Sequence, residues 1–193
     1  MRLLDRPMLG HVDDPTEEQL APEVVLISGP AGVGKSSTAF EMSMQLQASG
    51  VAHALVDTDE LDRIFPVPDD LYRLTERNLA GIWQAFRERG ACRLIVVGVY
   101  VHEPSELAWL GRAIPHARFT MVRLAASIPT LADRIGRREI GSDRAGQLQR
   151  ARRQLRKLDR ERRTNVHVIT TDGIDVVDTA AQIIRLAGWL ESG

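Results

Sequence analysis

Gly29-Pro30-Ala31-Gly32-Val33-Gly34-Lys35-Ser36 follows directly on the apolar run Val24-Val25-Leu26-Ile27 and fits the pattern G-x-x-x-x-G-K-[ST]. A strand-forming run feeding a glycine-rich turn that opens a helix is the context this pattern requires. The glycines let the chain curl closely around a phosphate with its N–H groups turned inward. A helix starting at Lys35-Ser36-Ser37 adds the positive end of its dipole. In such a loop the lysine, here Lys35, reaches the β- and γ-phosphates and the hydroxyl of Ser36 holds Mg²⁺. A plain Gly-rich turn is the bland alternative.

Lysine usage supports the phosphate reading. Of the 25 Lys and Arg residues only two are lysine, Lys35 and Lys157. A chain that writes arginine almost everywhere keeps a lysine inside the loop, where a compact ammonium fits within curled backbone and a planar guanidinium does not.

At 193 residues, 44% hydrophobic and 26% charged, the chain suits one domain with a full core. A formal charge of −1 gives no global pull toward nucleic acid or membrane. The single Cys92 excludes an internal disulfide and makes a reducing compartment the default. Lying beside Leu94-Ile95-Val96-Val97, it reads as a small buried residue. Residues 1–22 carry Asp13-Asp14-Pro15-Thr16-Glu17-Glu18 and nothing resembling a signal peptide, and no segment has the length of a membrane span. A cytoplasmic protein with an N-terminal arm (1–22) and one domain (23–193) is the expectation.

Short β-rich runs at Val24–Ser28, His53–Val56, Leu94–Val99, Arg118–Leu124 and Val166–Thr170 are separated by helical periodicity. That alternation predicts an α/β fold, a parallel sheet with helices on both faces. One helix is expected from Lys35 to Ala48, with Phe40, Met44 and Leu46 among its apolar positions and Gly50 closing it. A second spans Asp70 to Arg89, carries Leu71, Leu74, Leu79, Ile82, Trp83 and Phe86, and ends at Gly90. Asp175 to Leu190 reads as a closing amphipathic helix.

Ligands of such sheets bind at the carboxyl ends of the strands, which directs attention to Asp57-Thr58-Asp59 after the second run. Alternate carboxylates leaving a strand can serve a metal shell and accept a proton from a substrate hydroxyl. A helix N-cap with an acidic first turn is the other reading of the same residues. Glu103, beside Pro104, reads as a loop or helix-start residue.

The phosphate loop, the post-strand aspartates and a later Arg-rich helix together resemble the small-molecule kinases of the nucleotide-kinase-like P-loop NTPase group. That group includes adenylylsulfate kinase, gluconate kinase, shikimate kinase and chloramphenicol phosphotransferase. The resemblance covers roughly residues 24–190 and implies a three-layer sandwich on a five-stranded parallel sheet of order 2-3-1-4-5. It also implies ATP with Mg²⁺ as donor and a small hydroxylated acceptor. On that pattern one aspartate of the pair aligned with Asp57 and Asp59 contacts the acceptor hydroxyl or the metal shell; either can be the base, with Ser36 and Asp57 the candidate metal residues and Asp59 the candidate acceptor contact. The loop after the last strand, with Thr171 and Gly173, matches where relatives often contact adenine.

Many phosphate-loop ATPases end the third strand with a metal-helping acid, whereas this chain reads Ile95-Val96-Val97-Gly98-Val99-Tyr100. That argues against a motor-type ATPase and directs the metal role to the aspartates near 57–59. The stretch Arg134–Arg163 carries eleven Arg and one Lys against four carboxylates, an excess of +8 in a chain of net −1. The resemblance makes Arg134 and Arg138, one turn apart, part of a lid around 134–150 that stabilises transferring charge. Arg150–Arg163 reads as a solvated helical face or a nucleic-acid docking surface. The lack of interleaved aromatics weakens single-strand binding.

Acceptor choice is expected between the second and third strands, where Arg63, Arg73 and Arg77 are the candidate contacts and Phe65 and Trp83 the candidate core. Arg73 and Arg77, four apart, either face an anionic acceptor or pair with Asp70 or Glu76. These features predict transfer of the ATP γ-phosphoryl to a hydroxyl of a small metabolite or antibiotic. A regulatory or nucleic-acid-associated ATPase is the alternative. Oligomeric state does not follow from the sequence.

Overall fold

A computed structural model describes residues 21–138, 144–160 and 164–190. The expected N-terminal arm through residue 20, residues 139–143 of the expected lid and the side chains of Arg138 and Arg144 lie outside the described residues.

Strand β1 (Glu23–Ser28) is the hydrophobic axis of the molecule, with Val24 to Ser28 all buried. Successive strand residues point to opposite faces, so a strand without polar alternation needs cover on both sides. Val25 and Ile27 join a core with Met42 and Leu46 of α1 (Lys35–Ala48) and Ile183 and Ile184 of α6 (Val176–Ala187). Val24 and Leu26 join a second core with Leu79 and Trp83 of α2 (Leu71–Arg87) and Trp109 and Leu110 of α3 (Pro104–Ala113). Each large apolar side chain buried this way contributes roughly 1.5–3 kcal/mol against leaving it in water.

The sheet is completed by β2 (Ala54–Asp57), β3 (Arg93–Val97), β4 (Arg118–Ala125) and β5 (Val166–Thr170). Its order is β2-β3-β1-β4-β5 and every pairing is parallel, as the resemblance implies. Helices α4 (Ile128–Arg138) and α5 (Arg144–Arg160) intervene between β4 and β5. The register Asp57↔Val97 and Val97↔Ile27 brings the ends of β2, β3 and β1 to one edge, where the phosphate loop begins.

Most predicted boundaries hold to within one or two residues, and Gly50 and Gly90 follow their helices with positive φ as expected, whereas the last helix stops at Ala187, short of the expected Leu190, because Gly188 caps it at φ +65°. Trp83 is core, 4% exposed. Three expectations are corrected. Phe65 is 93% exposed, because it lies in the proline-punctuated segment Phe65-Pro66-Val67-Pro68, outside any element that could bring it against the sheet. Cys92 is exposed, because β3 starts one residue later and the thiol sits at the sheet's entry edge. On α1 the inward positions are Thr38, Ala39, Met42 and Leu46, while Phe40 and Met44 face outward.

Candidate functional site

The phosphate loop joins β1 to α1 through Gly34, the helix N-cap, held at φ +103°. The loop lies tight beneath α4, since a Cβ on Gly32 would sit 2.7 Å from Ile135 Cγ1. Only glycine meets both that spacing and the local φ of +80°. Gly29 and Pro30 are buried at the strand end, and their carbonyls accept from Lys35 Nζ at 2.9 and 3.3 Å. The ammonium therefore lies back along the loop, beside residues 29–31. Ala31, Gly32, Val33, Gly34, Ser36 and Ser37 line the mouth of a cleft of about 960 Å³.

The post-strand aspartates reach the same cleft. Ser36 Oγ donates to Asp57 Oδ2 at 3.1 Å, and Asp57 Oδ1 accepts from the Asp59 N–H at 3.1 Å. The helix-cap reading of Asp57 holds: one oxygen caps the short 3-10 turn Thr58–Glu60, while the other meets the loop serine. The Asp59 carboxyl is pushed above its ordinary range, chiefly by partial burial in the cleft and next by repulsion from Asp57. Lys35 pulls it back in part.

Packing excludes a larger residue just after β3. A Cβ on Gly98 would lie 2.5 Å from both Thr58 Oγ1 and Val101 Cγ1, so the 3-10 turn fills the space after β3 that a larger residue would need. Among the described residues no three His, Cys, Asp or Glu side chains form a metal cluster. One hydroxyl and one carboxylate beside a phosphate cradle nevertheless fit Mg²⁺, which keeps several waters and takes few protein ligands beside phosphate oxygens.

Arg134, on α4, spans two walls. Its Nη1 donates to Val33 O at 3.0 Å and to Thr171 Oγ1 at 2.8 Å, and its Nη2 donates to Thr171 O at 2.8 Å. It fastens the phosphate loop to the end of β5 and keeps a cation on the cleft wall. Ser127, preceding α4, hydrogen-bonds with Thr130, and the Ser127 N–H donates to Asp172 Oδ2 at 2.9 Å. Hydrogen bonds from Thr130, and then from Ser127, hold the Asp172 carboxyl below its ordinary range against some burial. Thr171 is buried on the cleft wall, whereas Gly173 supplies a turn at φ +70° beyond it.

Helix α5 contributes a wall that sequence reading missed. Gln147, Arg150 and Gln154 recur along one helix face and line the cleft, and the Ala31 N–H donates to Gln154 Oε1 at 2.8 Å. Buried Ala151 and Leu158 seat the helix. Arg123 meets Asp159 at 3.0 Å, and Lys157 Nζ meets Glu103 Oε2 at 2.9 Å while lying 4.1 Å from the Tyr100 ring centroid. Glu103 is the N-cap residue of α3, with Pro104 in the first turn. The sparse apolar spacing Ala151, Leu155, Leu158 was the available signal for the helix's orientation.

Of the acceptor candidates, Arg63 lines the cleft and pairs with Glu60 at 2.9 Å in solvent. Arg73 and Arg77 lie elsewhere, around a depression of about 480 Å³ shared with Glu76 and Arg112. Glu76 is paired with Arg112 at 2.6 Å, which holds its carboxyl below the ordinary range. Among the described residues no helix is long and apolar enough to cross a membrane.

No family model matches the sequence, and no curated protein matches it. Solved structures do match in fold. A gluconokinase from Sinorhizobium meliloti 1021 is 20% identical with a TM-score of 0.57, over 86% of this chain and 92% of that one. A Deinococcus radiodurans tunicamycin resistance protein is 19% identical with a TM-score of 0.61, over 86% and 96%. The Mycobacterium tuberculosis APS kinase, solved with AMPPNP and APS, is 19% identical with a TM-score of 0.56, over 87% and 98%. The chain has the fold of the small-molecule P-loop kinases.

Proposed function

We propose that this chain is an ATP-dependent phosphotransferase that moves the γ-phosphoryl group to a hydroxyl of a small metabolite or antibiotic. The observation that carries the reading is the convergence of Lys35, Ser36, Asp57 and Asp59 on one cleft, with Ser36 and Asp57 3.1 Å apart. This arrangement supports a division of labour that the residue types alone leave open.

The loop N–H groups and the α1 N-terminus hold the phosphates of ATP, and Lys35 lies toward the β- and γ-phosphates. Ser36 and Asp57 hold Mg²⁺. When bound, that ion neutralises charge on the β- and γ-oxygens. Asp59, raised in pKa and one residue beyond the cap, orients the acceptor hydroxyl and takes its proton. As the acceptor oxygen forms its bond to the γ-phosphorus, the bond from that phosphorus to the β–γ bridging oxygen breaks, and ADP leaves with the electron pair. Lys35 and the arginines of the cleft wall, Arg134 and Arg150, stabilise charge on the departing oxygens. Thr171 serves the nucleoside side. Arg63 at the rim is the acceptor-side cation, while Arg73 and Arg77 on their separate surface serve only an acceptor long enough to reach it.

The test is a panel of hydroxylated metabolites and antibiotics incubated with ATP and Mg²⁺ and scored by mass for a gain of one phosphoryl group. A gain with the wild type that Lys35→Ala abolishes, in a variant that retains its circular dichroism, supports the reading. A variant that binds ATP and turns over like the wild type would sink it.

A further inference from the structure

Gln154 touches the phosphate loop at a place that gives its carboxamide a defined orientation. A backbone N–H can only donate, so the bond from Ala31 requires Oε1 to face the loop and turns the Nε2 protons away from it. Among the described residues nothing accepts from Nε2. The amide is half-buried on the cleft wall, with Arg150 one turn earlier on the same face.

The position along the loop matters. Lys35 Nζ rests on the carbonyls of Gly29 and Pro30, immediately before Ala31. The loop lysine is the group that reaches the β- and γ-phosphates, so the terminal phosphate belongs at this end of the loop. The β-phosphate belongs nearer the N–H groups of the α1 start. Gln154 therefore stands at the outermost phosphate position. Its helix is held there by buried Ala151 and Leu158 and by the ion pairs Arg123–Asp159 and Lys157–Glu103.

We propose that Gln154 reads the terminal phosphate of the bound nucleotide: its oxygen, held by the Ala31 N–H, fixes the amide so that Nε2 donates to a γ-phosphate oxygen. The proposal rests on the nucleotide reading above. It assigns α5 a part in distinguishing a nucleoside triphosphate from a diphosphate, since ADP has no oxygen at that position. A hydrogen bond to a charged group contributes about 1.5–3 kcal/mol, on the order of a tenfold to hundredfold change in affinity.

The experiment measures equilibrium binding of ADP and of AMPPNP to the wild type, Gln154→Ala and Gln154→Glu. The glutamate keeps an acceptor for Ala31 and replaces the donor with negative charge, which separates docking of α5 from contact with phosphate. The proposal expects Gln154→Ala to bind AMPPNP about tenfold more weakly and ADP within about twofold of the wild type. Gln154→Glu should lose more of its AMPPNP affinity, again with ADP little changed. Equal weakening for both nucleotides, no weakening, or tighter AMPPNP binding in the alanine variant each overturns it. A wild type that binds neither nucleotide overturns the nucleotide reading itself, and this proposal with it.

Discussion

Asp57 divides its two oxygens between two neighbours: Oδ2 accepts from Ser36 Oγ and Oδ1 from the Asp59 N–H, each at 3.1 Å. The end of β2 is thereby coupled to the start of α1, and the capped turn carries the second aspartate into the cleft. Asp57→Asn keeps the cap acceptor but removes the charge. It is expected to raise the Mg²⁺ concentration for half-maximal turnover and to lower turnover by on the order of a hundredfold. A Mg²⁺ titration of initial rates checks this, and an unchanged midpoint contradicts the metal assignment.

In the proposed mechanism Asp59 acts in its deprotonated form, and its pKa is raised, chiefly by burial and next by Asp57. Activity should therefore climb with pH through a midpoint above the ordinary aspartate range, and protonation below it should switch turnover off. Asp59→Asn should retain ATP binding, lose roughly a hundredfold in kcat and lose that acidic limb. The measurement is the pH profile of kcat/KM for both proteins. A limb that persists in the variant assigns it to another group.

Arg134 and the arginines on the outside of α5 should behave differently. Arg134→Ala removes three hydrogen bonds, takes the Arg134 donor from the carbonyl of buried Thr171 and leaves Val33 O with the 3.4 Å bond from Thr171 Oγ1. It is expected to cost about 1–3 kcal/mol in urea unfolding and to weaken nucleotide binding. Replacing the exposed Arg152, Arg153 and Arg156 should leave turnover within about twofold. If those residues served nucleic acid, the triple variant would instead flatten the salt dependence of RNA or DNA binding.

The strand-to-helix loop was legible because its tight turn constrains the backbone, and backbone constraint is written as glycine spacing. The strand order followed from the resemblance that this loop and Asp57-Thr58-Asp59 carried. Gly98 looked like a missing acid until Thr58 was seen to occupy its space. Helix α5 was legible as an Arg-rich helix but its inward face was not, since arginines surround it and charge alone does not orient a helix. Burial of Ala151 and Leu158, with half-buried Leu155, goes with Gln147, Arg150 and Gln154 lining the cleft. Phe65 and Cys92 were misplaced for a related reason. Residue type favoured burial, but one lies in a proline-rich loop and the other one residue before its strand.

Asp172 gives a pH signature in stability. Its carboxyl is lowered by hydrogen bonds from Thr130 and Ser127, so its contribution is present above the pKa it has in the unfolded chain. That contribution is lost as pH falls through the lower, folded value. Wild type should melt above Asp172→Asn near neutrality, and the gap should close on acidification below the ordinary aspartate range. Thermal melts between about pH 3 and 7 read this directly. A gap independent of pH would contradict the carboxylate's role.

The central claim is transfer of the phosphoryl group to an acceptor rather than to water, and the stoichiometry of products tests it most directly. ADP and inorganic phosphate are quantified in parallel, with and without the pooled hydroxylated metabolites and antibiotics. The account predicts that the pool accelerates ADP formation and that ADP exceeds inorganic phosphate by the amount of phosphorylated acceptor. Equal yields of ADP and phosphate, formed as fast without any acceptor, would contradict it.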